Sequence, residues 1–285
     1  MGQKNIHYFP GHMSKAIKDM SNFIKSIDLV CEVVDARAPL SSRNPLLDSL
    51  IQGKDRILLL SKKDFADEKA TQKWITFFKN KGFLVSSANL KNDKFISVLS
   101  EVSSELIKKK REKEAKYGMK PQPIRVMIVG IPNVGKSTLI NNLSGSRVAI
   151  TGNKAGVTRG EQWIKLSSNF ILLDTPGILP MKYEDKQIAV NLALIGSMKE
   201  EVLPNEELTG YLLNILREHY PDCLKNRYGI EDLSNLSNDD VLLEISKRRN
   251  LLVNNLLSTE RSSYLIIKEF KDGILGRYSL EFPNA

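Results

Sequence analysis

The sequence holds almost nothing that could staple it. Its 285 residues include two cysteines, Cys31 and Cys223, too few for a disulfide framework and not in a metal-ligand spacing. A reducing compartment is the expectation. Histidine is scarce at three residues. No apolar run approaches the roughly 20 residues of a membrane span, and no internal repeat or low-complexity tract exceeds the lysine run Lys108–Lys110. Met1–Pro10 has neither the apolar core of a signal peptide nor the Arg/Ser-rich character of a transit peptide, and Ile6 stands where a myristoylation pattern wants Ser or Thr. The expectation is a cytoplasmic chain with no membrane contact.

What is present is an ordinary globular composition, 41% hydrophobic and 26% charged, long enough for a sizeable core in one large or two ordinary domains. The formal charge is +9, which invites a polyanion partner such as nucleic acid or an acidic membrane. The charge is uneven. Residues 1–120 carry 23 Lys+Arg against 14 Asp+Glu, whereas residues 181–285 carry 13 against 17. The cationic body is therefore the first part of the chain.

Short apolar runs bounded by polar turns predict buried strands at Ile27–Val34, Ile57–Leu60, Phe83–Val85, Ile124–Val129 and Phe170–Leu173. Helical stretches lie between them, among them Glu68–Asn80 and Phe95–Glu114. Alternation of this kind implies βαβ units and a mostly parallel sheet with helices on both faces. Beyond Pro180 the rhythm changes: Leu208, Tyr211, Leu212, Ile215 and Leu216 follow a half-buried helix, and Gln187–Val202, Asp239–Arg249 and Thr259–Leu275 read alike. The expected division is an α/β domain over 1–180 and an all-α domain over 181–285.

The strand Ile124–Val129 runs directly into Gly130-Ile131-Pro132-Asn133-Val134-Gly135-Lys136-Ser137-Thr138, followed by an apolar helix. This is G-x-x-x-x-G-K-S in its strand–loop–helix setting. Its glycines let the backbone N–H groups from Asn133 to Thr138 turn toward phosphate oxygens, with the helix dipole behind them. Lys136 reaches the outer phosphates and Ser137 offers a hydroxyl to Mg²⁺. Downstream, Asp174-Thr175-Pro176-Gly177 ends a strand. Alone it is a common turn, but paired with the loop it gives an Asp174 that holds Mg²⁺ through water and a Gly177 N–H for the γ-phosphate. Thr158, in Gly156-Val157-Thr158-Arg159, is the candidate for a second hydroxyl on Mg²⁺.

Phosphate-loop proteins that select guanine share an N-K-x-D segment after one strand and an S-A segment after another. Ser61-Lys62-Lys63-Asp64 and Ser86-Ser87-Ala88 resemble these. The resemblance implies that Asp64 accepts from the guanine ring N–H and exocyclic amine, that the Lys62 stem lies along the base, and that the Ala88 N–H, next to Ser87, meets the guanine oxygen. Groups left unpaired by adenine provide the discrimination. Ser61 departs from the usual asparagine, being shorter and lacking the amide's paired donor and acceptor.

These segments precede the phosphate loop, the reverse of an ordinary GTPase. The constellation survives such a cut because chain ends in compact domains can be rejoined, here through Lys108–Pro123. The chain resembles the circularly permuted GTPases, most of all the bacterial ones that act in maturation of the large ribosomal subunit. That likeness also rests on His7-Tyr8-Phe9-Pro10-Gly11-His12-Met13, Asp35-Ala36-Arg37-Ala38-Pro39 and Leu275-Gly276-Arg277-Tyr278-Ser279-Leu280-Glu281. It implies GTP and GDP as ligands, the 50S particle with its rRNA and ribosomal proteins as partner, and a monomer off the ribosome. The helical domain is implied to take part in the contact.

Ile178, the residue after Asp-x-x-Gly, cannot orient water as the glutamine of Ras does. The catalytic group must come from elsewhere. Asn133 matches the asparagine that holds K⁺ near the β/γ-phosphates in K⁺-stimulated relatives, where a cation offsets charge beside Lys136. His12 is a candidate to orient water or act as base. Its other readings are a brace for the Phe9-Pro10-Gly11 turn or a contact to RNA. Arg37 reads equally as an RNA contact or a loop brace, while Trp74 and Phe77 read as core. Lys247-Arg248-Arg249 suits either phosphate or the helix C-terminal dipole. Two alternatives to a GTP-hydrolysing assembly factor stand beside it: a non-catalytic RNA-binding placeholder with structural nucleotide, and a general ATPase.

Overall fold

The computed structural model describes residues 6–7, 21, 23–144, 162–174, 182–183, 185–198, 203–231 and 235–283. Among them a six-stranded sheet forms from β2 (Leu29–Asp35), β3 (Asp55–Ser61), β4 (Leu84–Ala88), β5 (Ile124–Val129), β6 (Gln162–Lys165) and β7 (Phe170–Asp174), in the order β4-β3-β2-β5-β7-β6. All neighbours are parallel except β6, which runs antiparallel to β7. Each residue of β2 is buried, which is why its sequence is a near-continuous apolar run. A two-residue pairing of β1 (Ile6–His7) with β8 (Lys182–Tyr183) lies apart from this sheet.

Both faces are covered. On one, Leu29, Cys31 and Val33 of β2 share a core with Phe95 and Leu99 of α3 (Phe95–Val102) and with Leu139, Ile140 and Leu143 of α5 (Lys136–Ser144). The expected single helix 95–114 is broken at Ser103, whose hydroxyl donates to the Leu99 carbonyl, so that α4 (Ser104–Lys116) starts afresh. On the other face, Val30, Met127 and Leu173 pack with Leu47 of α1 (Pro45–Leu50). Beside them Val34, Leu58 and Leu60 pack with Trp74 and Phe78 of α2 (Glu68–Asn80), the two rings stacked 5.5 Å apart. Trp74 is core as expected, whereas Phe77 is half-buried against the same cluster.

The C-terminal part is helical as expected: α6 (Lys186–Leu194), α7 (Asn205–His219), α8 (Cys223–Tyr228), α9 (Asn238–Arg249) and α10 (Thr259–Lys271). Ser237 and Asp240 form a capping box that starts α9. Helix α6 stops at Leu194, earlier than the periodicity suggested, because Gly196 takes φ of 78°. A small hairpin, β9 (Leu252–Val253) with β10 (Leu256–Leu257), turns on Asn254 and Asn255, both at positive φ. Its strands are two residues long, too short to leave an alternating signature.

The core does not stop at the expected division. The cluster holding β2 and α5 continues through Leu192, Leu212, Ile245, Ile267 and Leu280. The tail after α10 returns to the sheet side: Leu280 N–H donates to the Arg37 carbonyl at 2.8 Å, and the Trp74 indole N–H to the Glu281 carbonyl at 3.0 Å. The half-buried Glu281 carboxylate accepts from the Leu40 and Ser41 N–H groups at 2.7 and 2.9 Å.

Candidate nucleotide site

Chain order makes the sheet reverse at its centre. Strands β2, β3 and β4 step outward, and the chain then returns to place β5 on the other side of β2. A crevice outside the carboxyl ends at such a switch point is where open α/β sheets take ligands. The register sets Ala88 beside Ser61 and Ser61 beside Asp35, so the segments with resemblance to guanine readers end next to one another, close to the phosphate loop.

The loop itself has the required backbone. Gly130, Asn133 and Gly135 take φ of 150°, 61° and 104°. A Cβ at Gly130 would meet the Val33 carbonyl oxygen at 2.5 Å, and backbone cannot move aside. Lys136 opens α5 with its ammonium 2.8 Å from the Ile131 carbonyl, folded over its own loop. A phosphate oxygen offers that ammonium a charged acceptor in place of a neutral one, the stronger partner. Val134 is fully buried, while Ser137 and Thr138 are half-buried in the first turn of α5, a helix N-terminus that favours anions.

Ser61 does part of what a longer side chain would. Its buried hydroxyl lies 2.9 Å from the Val34 carbonyl and 2.5 Å from that of Val134, so β3 is tied to the phosphate loop. Ser61→Ala removes the donor facing both carbonyls. The expected outcome is a loss of about 1–2 kcal/mol in denaturant unfolding and a weaker nucleotide titration; unchanged values in both would refute the tie.

Lys62, at φ 54°, places its ammonium 2.9 Å from the fully buried carboxylate of Asp35. Burial lowers the Lys62 pKa more than Asp35 raises it. Burial opposes the charge on Asp35 as well, but Arg37 and Lys62 outweigh it and hold the carboxyl well below the usual carboxylate range. Arg37 is bidentate to Asp35 at 2.9 and 2.8 Å. The same guanidinium donates to the carbonyls of Phe270 and Lys271 at the end of α10, both at 3.2 Å, and of Ile195 after α6 at 3.3 Å. Arg37 is 1% exposed, so of its two readings the structure supports the brace.

Asp64 sits at the corner of a turn closed by the Phe65 N–H on the Lys62 carbonyl, half-buried. Its neighbour Lys63 pairs with Asp93 at 2.7 Å, an ion pair whose hydrogen bond holds the Asp93 pKa down. Asn142 of α5 clamps the segment after β4, donating to the Leu90 and Asp93 carbonyls and accepting from the Phe95 N–H. The amide of Asn133 donates to the Gly196 carbonyl at 2.7 Å, next to the carbonyl that Arg37 holds.

The order of these parts, the strands whose ends resemble guanine readers before the phosphate loop, is that of a circularly permuted GTPase. A family model described as a 50S ribosome-binding GTPase matches residues 125–247. Ribosome biogenesis GTPase A of Bacillus cereus is 41% identical over 282 residues, spanning 98% of this chain and 94% of that protein. The chain belongs to the ribosome biogenesis GTPase A family. The Thermotoga maritima protein of that name is 32% identical over 98% of this chain and 95% of its own length. The GNP-bound crystal structure of YlqF from T. maritima matches this structure with a TM-score of 0.66 at 30% identity, over 95% of this chain and 99% of that one. A GDP-bound structure of YlqF matches with a TM-score of 0.67.

Against that family fold, the residues singled out from sequence divide cleanly. Ser61, Lys62, Asp64, Ser87, Ala88 and Asn133–Gly135 are at the carboxyl end of the sheet or in the loop that follows it, and Lys136–Thr138 are in the first turn of α5. Asp174 ends β7, beside β5. His12, Thr158, Gly177 and Ile178 lie outside the described residues. Asp35 as counter-ion of Lys62, Asn142 and Gly196 were not foreseen. The Asp35-Ala36-Arg37 run drew notice in the sequence, but nothing local to it names partners more than 150 residues away.

Proposed function

We propose that this chain is a GTP-hydrolysing assembly factor that binds the immature large (50S) ribosomal subunit, promotes a late maturation step and leaves after hydrolysis. Membership of the ribosome biogenesis GTPase A family supports a GTPase of ribosome assembly. The observation that carries the reading is the convergence of a correctly curled phosphate loop with Lys62, Asp64 and Ala88 at one switch point. Residues 1–180 act as the GTPase unit and 181–285 as the helical unit that meets rRNA or ribosomal protein. The cationic first part of the chain, including the lysine-rich α4, supplies attraction to RNA phosphate. No helix among the described residues is long and apolar enough to cross a membrane. The working form is a cytoplasmic monomer off the ribosome.

In this reading Asp64 accepts from guanine, Ala88 N–H donates to its oxygen, and the loop amides with Lys136 hold the β- and γ-phosphates. Ser137, Thr158 and, through water, Asp174 hold Mg²⁺, which neutralises phosphate charge when bound; the Ser137 hydroxyl at the helix start suits it as a hard oxygen donor. Asn133 holds K⁺. With its N–H committed to Gly196, that amide still has its oxygen to offer a cation. Contacts of GTP with Thr158 and Gly177 favour the particle-bound state, and hydrolysis removes them.

The test is GTP turnover by the full chain with and without purified large-subunit particles, in K⁺ and in Na⁺. Stimulation by particles and by K⁺ is expected, whereas flat near-zero rates support the placeholder. His12→Ala is expected to lower particle-stimulated turnover by about 10²-fold or more with GTP binding unchanged. Unaltered turnover in that variant removes His12 from catalysis.

A further inference from the structure

The segment that presents Asp64 is anchored from the far end of the chain. Between Ser61, the last residue of β3, and Glu68, the first of α2, the backbone makes no sheet pairing. Its polar groups go elsewhere. The Arg277 guanidinium donates to the Lys63 carbonyl at 3.3 Å and to the Ala66 carbonyl at 3.2 Å. The Tyr278 N–H donates to the Phe65 carbonyl at 3.1 Å, and the Ser279 hydroxyl accepts from the Asp67 N–H at 3.2 Å. Three consecutive residues of the tail thus hold four backbone groups on both sides of Asp64.

The tail is itself fixed. Ser279 is fully buried, and its N–H donates to the Tyr220 hydroxyl at 3.1 Å. Gly276, at φ 142°, lets Tyr278 fold back so closely that a Cβ there would come within 2.5 Å of the ring. Gly273, at φ 70°, lies against Phe65, whose ring a Cβ would meet at 2.6 Å. Leu275 and Leu280 are buried on either side of the hydrogen-bonding residues. Each of the tail's four bonds is made to the backbone of the loop, the frame that carries Asp64.

A carboxylate that must meet two N–H groups of guanine together tolerates displacements of only about 0.5 Å. We infer that Arg277, Tyr278 and Ser279 are positioning residues for Asp64, so that discrimination for the guanine amine is set by the C-terminal tail. This inference rests on the guanine-reading role of Asp64 and deepens it.

Inosine diphosphate provides the probe because it keeps the ring N–H and oxygen of guanine but lacks the exocyclic amine. Titration of the full chain with GDP and with inosine diphosphate gives a ratio of Kd values, expected to favour GDP by about tenfold or more for one hydrogen bond to a charged acceptor. In the Arg277→Ala/Ser279→Ala double variant the ratio is expected to fall by at least about threefold, with inosine diphosphate affinity changed less than GDP affinity. A merely structural tail would lower the thermal midpoint and leave the ratio intact, and that result overturns the inference. Should the double variant fail to fold, Arg277→Ala, whose side chain is half exposed, carries the same measurement. A wild-type ratio near one strikes instead at the role of Asp64, and the inference falls with it.

Discussion

Replacing Arg37 with methionine is expected to destabilise the chain by about 3–5 kcal/mol, near the top of the range for one substitution. The side chain is 1% exposed and its partner Asp35 is 0% exposed, so the variant leaves a buried carboxylate with Lys62 as its remaining cation. It also removes the donors to the carbonyls of Ile195, Phe270 and Lys271, the C-terminal ends of two helices. Lysine in place of arginine does not restore the site, because one ammonium cannot form the fork on Asp35 and reach three carbonyls as well. Denaturant unfolding of the variant measures the loss, and a cost under about 1 kcal/mol would show that the brace is dispensable. Asp35→Asn/Arg37→Met is expected to cost less than its two single changes added, since both act on one pair. The Asp35 pKa is depressed, so the stability it contributes is present above its unfolded value and is lost only as the pH falls through its folded one.

Lys136→Ala is expected to weaken GDP and a non-hydrolysable GTP analogue by about 10- to 150-fold, the span for losing a hydrogen bond between charged groups. Fold stability should fall by less than this, with the bond to the Ile131 carbonyl itself worth about 1 kcal/mol. The two measurements together separate a ligand-binding lysine from a structural one. A variant that titrates like the wild type would contradict the phosphate role, and one that unfolds before titration would make the loop's own bond the main function of Lys136. The opposite profile is expected of Arg37→Met, with a large loss of stability. The contrast follows from the partners: Arg37 holds Asp35 and three backbone carbonyls, whereas the bond from Lys136 to the Ile131 carbonyl is one that a phosphate oxygen can replace.

Strand β5 has the same limits in sequence and structure, as does α2, because a six-residue run with five apolar members ahead of a glycine loop and a capped amphipathic helix have few other local solutions. Element ends were harder to read. The break at Ser103 depends on one hydroxyl turning to its own helix, and the early stop of α6 on a glycine that resembles any other in the sequence. Strand β6 escaped notice because it is four residues long and Trp163 on it is exposed.

By itself the sequence determined most of the elements, the phosphate loop and the inverted order of the segments that resemble guanine readers, since all three are written in periodicity and in spacings of a few residues. Tertiary structure alone decided what holds them: Asp35 under Lys62, Arg37 across two helix ends, Gly196 on Asn133, and the 277–279 tail around Asp64. The physical reason is the same in each case. All but one of these bonds, that to the Asp35 carboxylate, are made to backbone groups, which every residue carries, so no residue pattern marks the partner. Which carbonyl is met depends on how helices far along the chain pack against the sheet, and that is settled by the whole core at once.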